Sequence, residues 1–230
     1  MIAVICHCIR ARRLALLSLL WSSAISVTGA WVQGADAAEF TAGQLLVAMP
    51  EMRDPRFAEA VIYMVKHNED GAMGLVINRP LAKGPVKDLL QGFGIENEDA
   101  TGEIIIHYGG PVGVNNGFVL HSDDVMLEDS ERVKDGIAMT ADPKLIEAMA
   151  GGKGPHQSMI LFGYAGWAPG QLEGELEAGA WHVVPADKTL VFSNEADKKW
   201  QQAMDRRRIS LEVARLHRRF SSSFRFISEI

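Results

Sequence analysis

Residues 159–181 read MILFGYAGWAPGQLEGELEAGAW, and this stretch predicts a strand, a glycine-rich turn and a short helix. Residues 159–162 form an apolar run that is short enough for a buried strand. The turn is predicted at 163–167. Pro169 suits the first turn of the helix, because the N–H that it lacks would have no partner there. Gly179 is placed to end the helix in a left-handed conformation.

The predicted helix is amphipathic. Leu172 and Leu176 lie four residues apart and therefore share one face. The acidic and amide side chains occupy the other faces, and a tryptophan flanks each end: Glu173, Glu177, Gln171, Glu175, Trp167 and Trp181.

The first 37 residues have the organisation of a bacterial signal peptide. Three arginines precede an apolar segment at 14–27 (LALLSLLWSSAISV), and residues 35–37 (ADA) have the small-x-small form of a cleavage site. We therefore expect export to the periplasm. One alternative is a retained membrane anchor, since residues 14–35 carry no charge. The other is a cytoplasmic protein whose true start codon lies further along the chain.

Cleavage is expected between Ala37 and Ala38. N-terminal sequencing of the protein from fractionated cells measures this directly, and the expected product is a periplasmic chain that begins at Ala38. Recovery of a soluble cytoplasmic protein with an intact Met1 would refute export.

Charge is unevenly distributed along the predicted mature chain. From residue 38 onward there are 20 basic and 28 acidic residues, a net charge of −8. Residues 198–230 carry a net charge of +6, so residues 38–197 carry −14. Direct nucleic-acid binding by this acidic body is disfavoured, because it repels the phosphate backbone. The basic tail at 206–230 is suited to peripheral contact with an anionic membrane surface.

The remaining segments predict an α/β (mixed α+β) fold in one domain at residues 38–205. Connections between the predicted strands are too short for a purely parallel sheet, so a mixed sheet with helices packed on it is expected. About eight strands and four or five helices are predicted. The strands include apolar runs at 43–50, 61–65, 72–77 and 104–106, an edge strand at 133–139, and hairpins that turn at Asp70-Gly71 and Asn116-Gly117. The helices are predicted at 86–91, after Asp142-Pro143, after Pro169 and from about Asp197.

Motifs for nucleophilic catalysis, metal binding and phosphate binding are absent from the sequence. Cys6 and Cys8 both lie within the predicted signal peptide, and no G-x-S-x-G occurs. Ala165 takes the place that a nucleophile would need in the predicted turn. His121 has the neighbouring carboxylates Asp123 and Asp124, but no metal-ligand spacing is present. We therefore expect no catalytic residue, metal or cofactor.

One binding site is predicted, a groove between the 163–181 stretch and the Tyr-Gly-Gly-Pro turn at 108–111. Aromatic rings with a few polar groups are typical of ligand sites. The predicted lining is Tyr108, Gly109, Gly110, Tyr164, Gly166, Trp167, Gln171 and Glu175.

The sequence resembles the YqgE/AlgH family over about residues 42–204. The resemblance rests on five blocks that occur in the family's order. They are GQLLVAMPEMRDPRF (43–57), VIYMVKHNEDGAMGLVINRPL (61–81), YGGPV (108–112), GFVLHS (117–122) and GYAGWAPGQLEGELEAGAW (163–181). The last block is the family's signature.

Membership would imply an open, barrel-like mixed sheet surrounded by helices. It would also imply a regulatory role, with no established activity and no catalytic residue to carry over. The resemblance therefore favours a non-enzymatic regulatory or binding protein that acts through a protein or small-ligand partner. The alternatives are an unrecognised, hydrolase-like enzyme using His121, Asp123 or Glu175, and a membrane-associated accessory protein. The sequence departs from the family pattern in two ways. It has an export signal, whereas most members look cytoplasmic, and its C-terminus is more basic than is usual in the family.

Overall fold

The computed structural model of the protein describes residues 40–206. The predicted signal peptide at 1–37 and the basic tail after Arg206 lie outside these residues. No helix in the described range combines the length and the apolar character needed to cross a membrane.

Ten strands and five α-helices occur within residues 40–206. The strands are β1 (Gln44–Ala48), β2 (Val61–Asn68), β3 (Gly71–Val76), β4 (Pro80–Pro85), β5 (Glu103–Tyr108), β6 (Val112–Ser122), β7 (Glu131–Lys134), β8 (Ile137–Thr140), β9 (Ser158–Trp167) and β10 (Trp181–Pro185). The helices are α1 (Val86–Gly92), α2 (Lys144–Ala150), α3 (Gln171–Glu177), α4 (Lys188–Val191) and α5 (199–206), the last preceded by a short 3-10 turn.

The sheet is mixed, as predicted. Its strand order is β10-β1-β2-β3-β9-β6-β8-β7, and the β4–β5 pair joins it because β5 also pairs with β9. The β5–β9 pairing is parallel, whereas β9 pairs with β3 and β6 in the antiparallel sense. The sheet curls into a half-barrel, which confirms the expected mixed α+β fold.

Strand β9 is longer than predicted, because residues 163–167 continue it and do not form a turn. Ala165 pairs with Gly74 and Trp167 with Ala72, so β3 supplies ladder partners to the end of the strand. The chain turns only at 168–170. Gly170 provides the left-handed N-cap of α3 with a φ of 75°, and Pro169 therefore precedes the helix instead of occupying its first turn.

Two further predictions of local structure are wrong, and one strand was missed. Asn116-Gly117 does not turn a hairpin but lies within β6, next to an irregularity in its pairing with β9. Residues 133–139 form most of a hairpin, β7 and β8, which reverses at Asp135 and Gly136 with φ values of 52° and 76°. Strand β4 was not predicted, because it has a proline at each end and is largely exposed, so it lacks an apolar pattern.

Strands β1 and β2 are buried on both faces. Leu45 and Val47 of β1 belong to one apolar cluster, and Leu46 and Ala48 belong to another. Such strands carry near-continuous apolar runs without polar alternation, which explains why β1 and β2 were predictable.

Helix α5 is attached to this core by polar contacts as well as apolar ones. Trp200 donates its indole N–H to the carbonyl of Ala48 at 2.8 Å, and Met204 packs against the first cluster. Lys199 is fully buried, and its Nζ donates to the carbonyls of Ile77 at 2.9 Å and Val191 at 2.8 Å. Burial lowers the pKa of Lys199 to about 7.

Candidate functional site

Two tryptophans are brought together by the strands that flank α3. Trp167 ends β9 and Trp181 begins β10, where it pairs with Ala48 of β1. Helix α3 ends as predicted, because Gly179 adopts a φ of 71° and its N–H donates to the carbonyl of Leu176 at 3.0 Å. This cap returns the chain to the sheet, and the two indole rings meet edge to face with centroids 6.1 Å apart.

A single carboxylate oxygen holds both indoles. Oε2 of Glu175 accepts the Nε1–H of Trp167 at 2.9 Å and that of Trp181 at 2.8 Å. Its Oε1 accepts from the side-chain amide of Gln171 at 2.9 Å, and Gln171 in turn accepts the backbone N–H of Ala168 at 3.1 Å. Glu175 therefore positions the aromatic rings and uses both of its oxygens to do so.

A cavity of about 290 Å³ opens beside this pair, and we call it the tryptophan pocket. Phe57 packs edge to face on Trp181 at 5.6 Å, and the guanidinium of Arg56 lies 5.8 Å from the Phe57 ring centroid. Arg56 is exposed and pairs with Asp54 at 2.7 Å, and their hydrogen bonds lower the pKa of Asp54. The lining is Met52, Asp54, Arg56, Phe57, Pro111, Val112, Gly166, Trp167, Gln171, Glu175, Ala180 and Trp181.

Four of the eight predicted groove residues line this pocket, namely Gly166, Trp167, Gln171 and Glu175. Gly109 and Gly110 have a structural role instead. A Cβ at Gly109 would overlap the carbonyl oxygen of Gly163, and one at Gly110 would overlap the backbone of Tyr164. Glycine therefore allows the turn at 108–111 to pass close to β9.

The two predicted tyrosines do not line the pocket. Tyr164 packs edge to face on Phe118 at 6.1 Å, against the first apolar cluster. Tyr108 donates its backbone N–H to the carbonyl of Arg79 at 2.8 Å. The pKa of Arg56 is raised mainly by Asp54, and Tyr108 makes a minor contribution to this shift.

The prediction missed the other wall of the pocket. Asp54, Arg56 and Phe57 come from the loop between β1 and β2, which is more than a hundred residues away from Trp167 in the sequence. No periodic pattern links the two segments. The available signal was the DPRF motif at 54–57, which contains an aromatic and an arginine in a turn with no core-forming pattern.

Removing the Glu175 carboxylate should loosen the tryptophan wall of the pocket. In Glu175→Ala two buried indole N–H groups lose their acceptor, and we expect a loss of about 1–3 kcal/mol in the free energy of unfolding. Glu175→Gln keeps one carbonyl oxygen at this position and should lose less. Urea denaturation of the two variants measures the difference, and equal losses would show that the indole hydrogen bonds contribute nothing.

A separate polar cluster anchors the other side of α3. His67 is buried, and its Nδ1 accepts the backbone N–H of Thr41 at 3.0 Å, so Nε2 carries the proton and donates to Glu173 at 3.0 Å. The Thr41 hydroxyl also lies 3.0 Å from Nδ1. The pKa of Glu173 is lowered by a hydrogen bond from its own backbone and by the bond from His67. Thr41 is itself buried, so we interpret this cluster as a tether between α3 and β2.

His121, the histidine of the alternative enzyme hypothesis, is satisfied within the core. Its Nδ1–H donates to the carbonyl of Ser122 at 2.9 Å, and its Nε2 accepts from the hydroxyl of Thr140 at 2.8 Å. Burial lowers its pKa, which favours the neutral ring. Asp123 forms an ion pair with Arg132.

The structure does not bring His121 and Glu175 together. His121 pairs with Ser158 at the first residue of β9, and Glu175 binds Trp167 at the last. A strand of this length spans about 30 Å, so the two groups cannot share a reacting atom. Within residues 40–206, no group of three or more histidine, cysteine or acidic side chains is arranged to hold a metal ion.

Comparison with known proteins agrees with this fold. The family model described as AlgH-like matches residues 45–212. The chain belongs to the AlgH-like family. It is 49% identical over 164 residues to a UPF0301 protein of Methylococcus capsulatus, covering 71% of this chain and 90% of the relative. It is 44% identical over 171 residues to a UPF0301 protein of Caulobacter vibrioides, covering 74% of this chain and 88% of the relative.

Two solved structures have a similar fold. The solution structure of the AlgH protein from Pseudomonas aeruginosa is 37% identical to this chain, with a TM-score of 0.65, and covers 75% of this chain and 91% of its own. A crystal structure of a Corynebacterium diphtheriae protein matches with a TM-score of 0.59 at 24% identity, which supports the fold alone. The family is biochemically uncharacterised, so function has to be argued from the site.

Proposed function

We propose that this AlgH-like protein is a non-enzymatic regulatory or binding protein that receives a protein or small-ligand partner in the tryptophan pocket. The observation that carries the proposal is the convergence of the Trp167 and Trp181 indoles on one oxygen of Glu175. This arrangement holds a rigid aromatic wall beside an open cavity. Rigid aromatic walls bind apolar groups at a low entropic cost, which is why tryptophan is frequent at binding sites.

The polar groups of the pocket suit recognition better than catalysis. Both oxygens of Glu175 accept hydrogen bonds from neighbouring side chains, which leaves this carboxylate poorly placed to move a proton. Arg56 lines the pocket with its guanidinium held by Asp54, and this exposed ion pair offers polar groups of both charges to a partner. Export to the periplasm, and membrane contact by the basic tail, remain predictions independent of this proposal.

Two valines of β6 provide a matched test. Val112 lines the tryptophan pocket and is 41% exposed, whereas Val114 is 54% exposed and does not line it. Val112→Trp should block the pocket without disturbing the core, and Val114→Trp adds the same side chain outside it. Affinity capture from the native compartment, with mass spectrometry of proteins and small molecules, compares the two variants with the unmodified chain.

The expected result is a species retained by the unmodified chain and by Val114→Trp, and lost by Val112→Trp. Equal retention of every captured species by the two variants would contradict the proposal. Conversion of a captured small molecule to a product by the unmodified chain would favour the enzyme alternative.

A further inference from the structure

A second cavity, of about 490 Å³, lies among β4, α1, β5 and β9 and shares no lining residue with the tryptophan pocket. Its walls are mainly apolar, with Leu89, Phe93, Ile104, Ile106 and Phe162 among them. Cavities of this size and character are typical of small-molecule sites. Nothing in the proposed function uses it.

An irregularity in β6 contributes to this cavity. Val112 pairs with Tyr164 and Gly117 with Phe162, so five steps along β6 correspond to two along β9. The extra residues leave the ladder as a bulge that begins at Gly113, where φ is 57°. Bulges of this kind redirect side chains and are frequent next to functional sites. Here the bulge carries Asn115 to the rim of the cavity.

Two stacked phenylalanine rings line the cavity. The Phe93 and Phe162 rings are nearly parallel, with planes 17° apart and centroids separated by 6.1 Å. Both lie over Gly117, where a Cβ would come within 3.1 Å of Phe93 and 3.6 Å of Phe162. A planar ring system can stack on such a ring or meet it edge to face.

The charges at the rim disfavour an anionic ligand. Lys83 lines the cavity but is paired with Glu103 at 2.5 Å, and Asp88 adds a negative charge at the same rim. Residues 38–197 carry a net charge of −14, which repels anions. From shape and charge together, we propose that this cavity is a second binding site that takes a planar, largely apolar small molecule without negative charge.

Two glycines allow the cavity to be filled without disturbing the core. Gly84 and Gly92 both line it, and a Cβ at either position meets no atom within 4 Å. Because both glycines line the cavity, Gly84→Leu and Gly92→Leu add apolar bulk to its lining without a clash at the backbone. Gly174 of α3 is equally unhindered but does not line the cavity, so Gly174→Leu is the matched control.

The probe is N-phenyl-1-naphthylamine, a neutral aromatic amine that fluoresces when it leaves water, titrated against the full chain. We expect saturable binding at one site, an affinity at least tenfold lower in Gly84→Leu and Gly92→Leu, and no change in Gly174→Leu. Absence of saturable binding would overturn the proposal, as would equal binding by all the variants.

The sulfonated analogue 8-anilinonaphthalene-1-sulfonate has nearly the same rings with one negative charge, and it tests the choice of ligand. We expect it to bind at least tenfold more weakly than the neutral probe at low salt. Equal or tighter binding of the sulfonate at the same cavity would contradict the exclusion of anionic ligands. Because the Leu variants lie outside the tryptophan pocket, failure of this proposal leaves the proposed function untouched.

Discussion

Trp167→Ala should lower the free energy of unfolding by about 3–5 kcal/mol, as truncation of a large buried aromatic does. Trp167 is 7% exposed and packs in the second apolar cluster with Ile62, Leu172 and Trp181. Its loss also removes one of the two indole donors to Glu175. Equilibrium denaturation in urea measures the effect.

Trp167→Phe is the control for this substitution. It keeps an aromatic ring in the cluster and removes the N–H, so it should be considerably less destabilising than alanine. A loss below about 1 kcal/mol in Trp167→Ala would contradict the interpretation that Trp167 is part of the core as well as a wall of the pocket.

The second large effect concerns Lys199, whose pKa of about 7 lies well below its ordinary value of 10.5 because burial disfavours the charged amine. Between these values the unfolded chain binds a proton that the folded chain does not. Stability from this group is therefore fully present above about pH 10.5 and is lost progressively as the pH falls to about 7. The total is about 5 kcal/mol, or roughly 1.4 kcal/mol per pH unit in this window.

Lys199→Met should abolish that rise in stability between pH 7 and pH 9.5. Lys198→Met is the matched control, since Lys198 is an exposed neighbour paired with Glu195, and it should retain the rise. His107, a titratable group that interacts with Lys199, has its pKa lowered from 6.5 by burial and by Lys199, so it is neutral throughout this window. Denaturation curves measured across this pH range give the free energy of unfolding of each variant. The account would be contradicted if that free energy rose equally with pH in the two variants.

The elements that could be predicted are those whose signal is local. The apolar runs of β1 and β2, the hairpin at Asp70-Gly71 and the Gly179 cap of α3 each depend on residues within one turn or strand. The family blocks added the curled sheet, which no local pattern contains. Glycine-rich segments were misread because glycine permits both turns and close strand packing, and at Gly163 and Gly166 the structure uses it within a strand.

A third of the candidate site, four of its twelve lining residues, could be predicted for the same reason. Trp167, Gln171 and Glu175 belong to one strand and helix, so their proximity follows from sequence spacing. Arg56 and Phe57 reach the pocket only because the β1–β2 loop packs against Trp181, a contact that tertiary structure alone decides. The second cavity was not predicted, since it depends on an unpredicted strand, β4, and on a bulge whose Asn-Gly pair suggested a hairpin instead.

The central claim is that a ligand binds in the tryptophan pocket, and the indole N–H signals of a nitrogen-15 NMR spectrum test it most directly. Trp167 and Trp181 donate to Glu175 in the pocket, whereas Trp200 donates to Ala48 elsewhere and serves as an internal reference. Single Trp→Phe variants assign the three signals.

The titrant is the species captured by the unmodified chain and lost by Val112→Trp, or the whole captured fraction if none is lost. The account predicts that it shifts the Trp167 and Trp181 signals, leaves the Trp200 signal in place, and shifts neither signal in Val112→Trp. Binding that leaves the Trp167 and Trp181 signals unmoved, or moves all three equally, would contradict it.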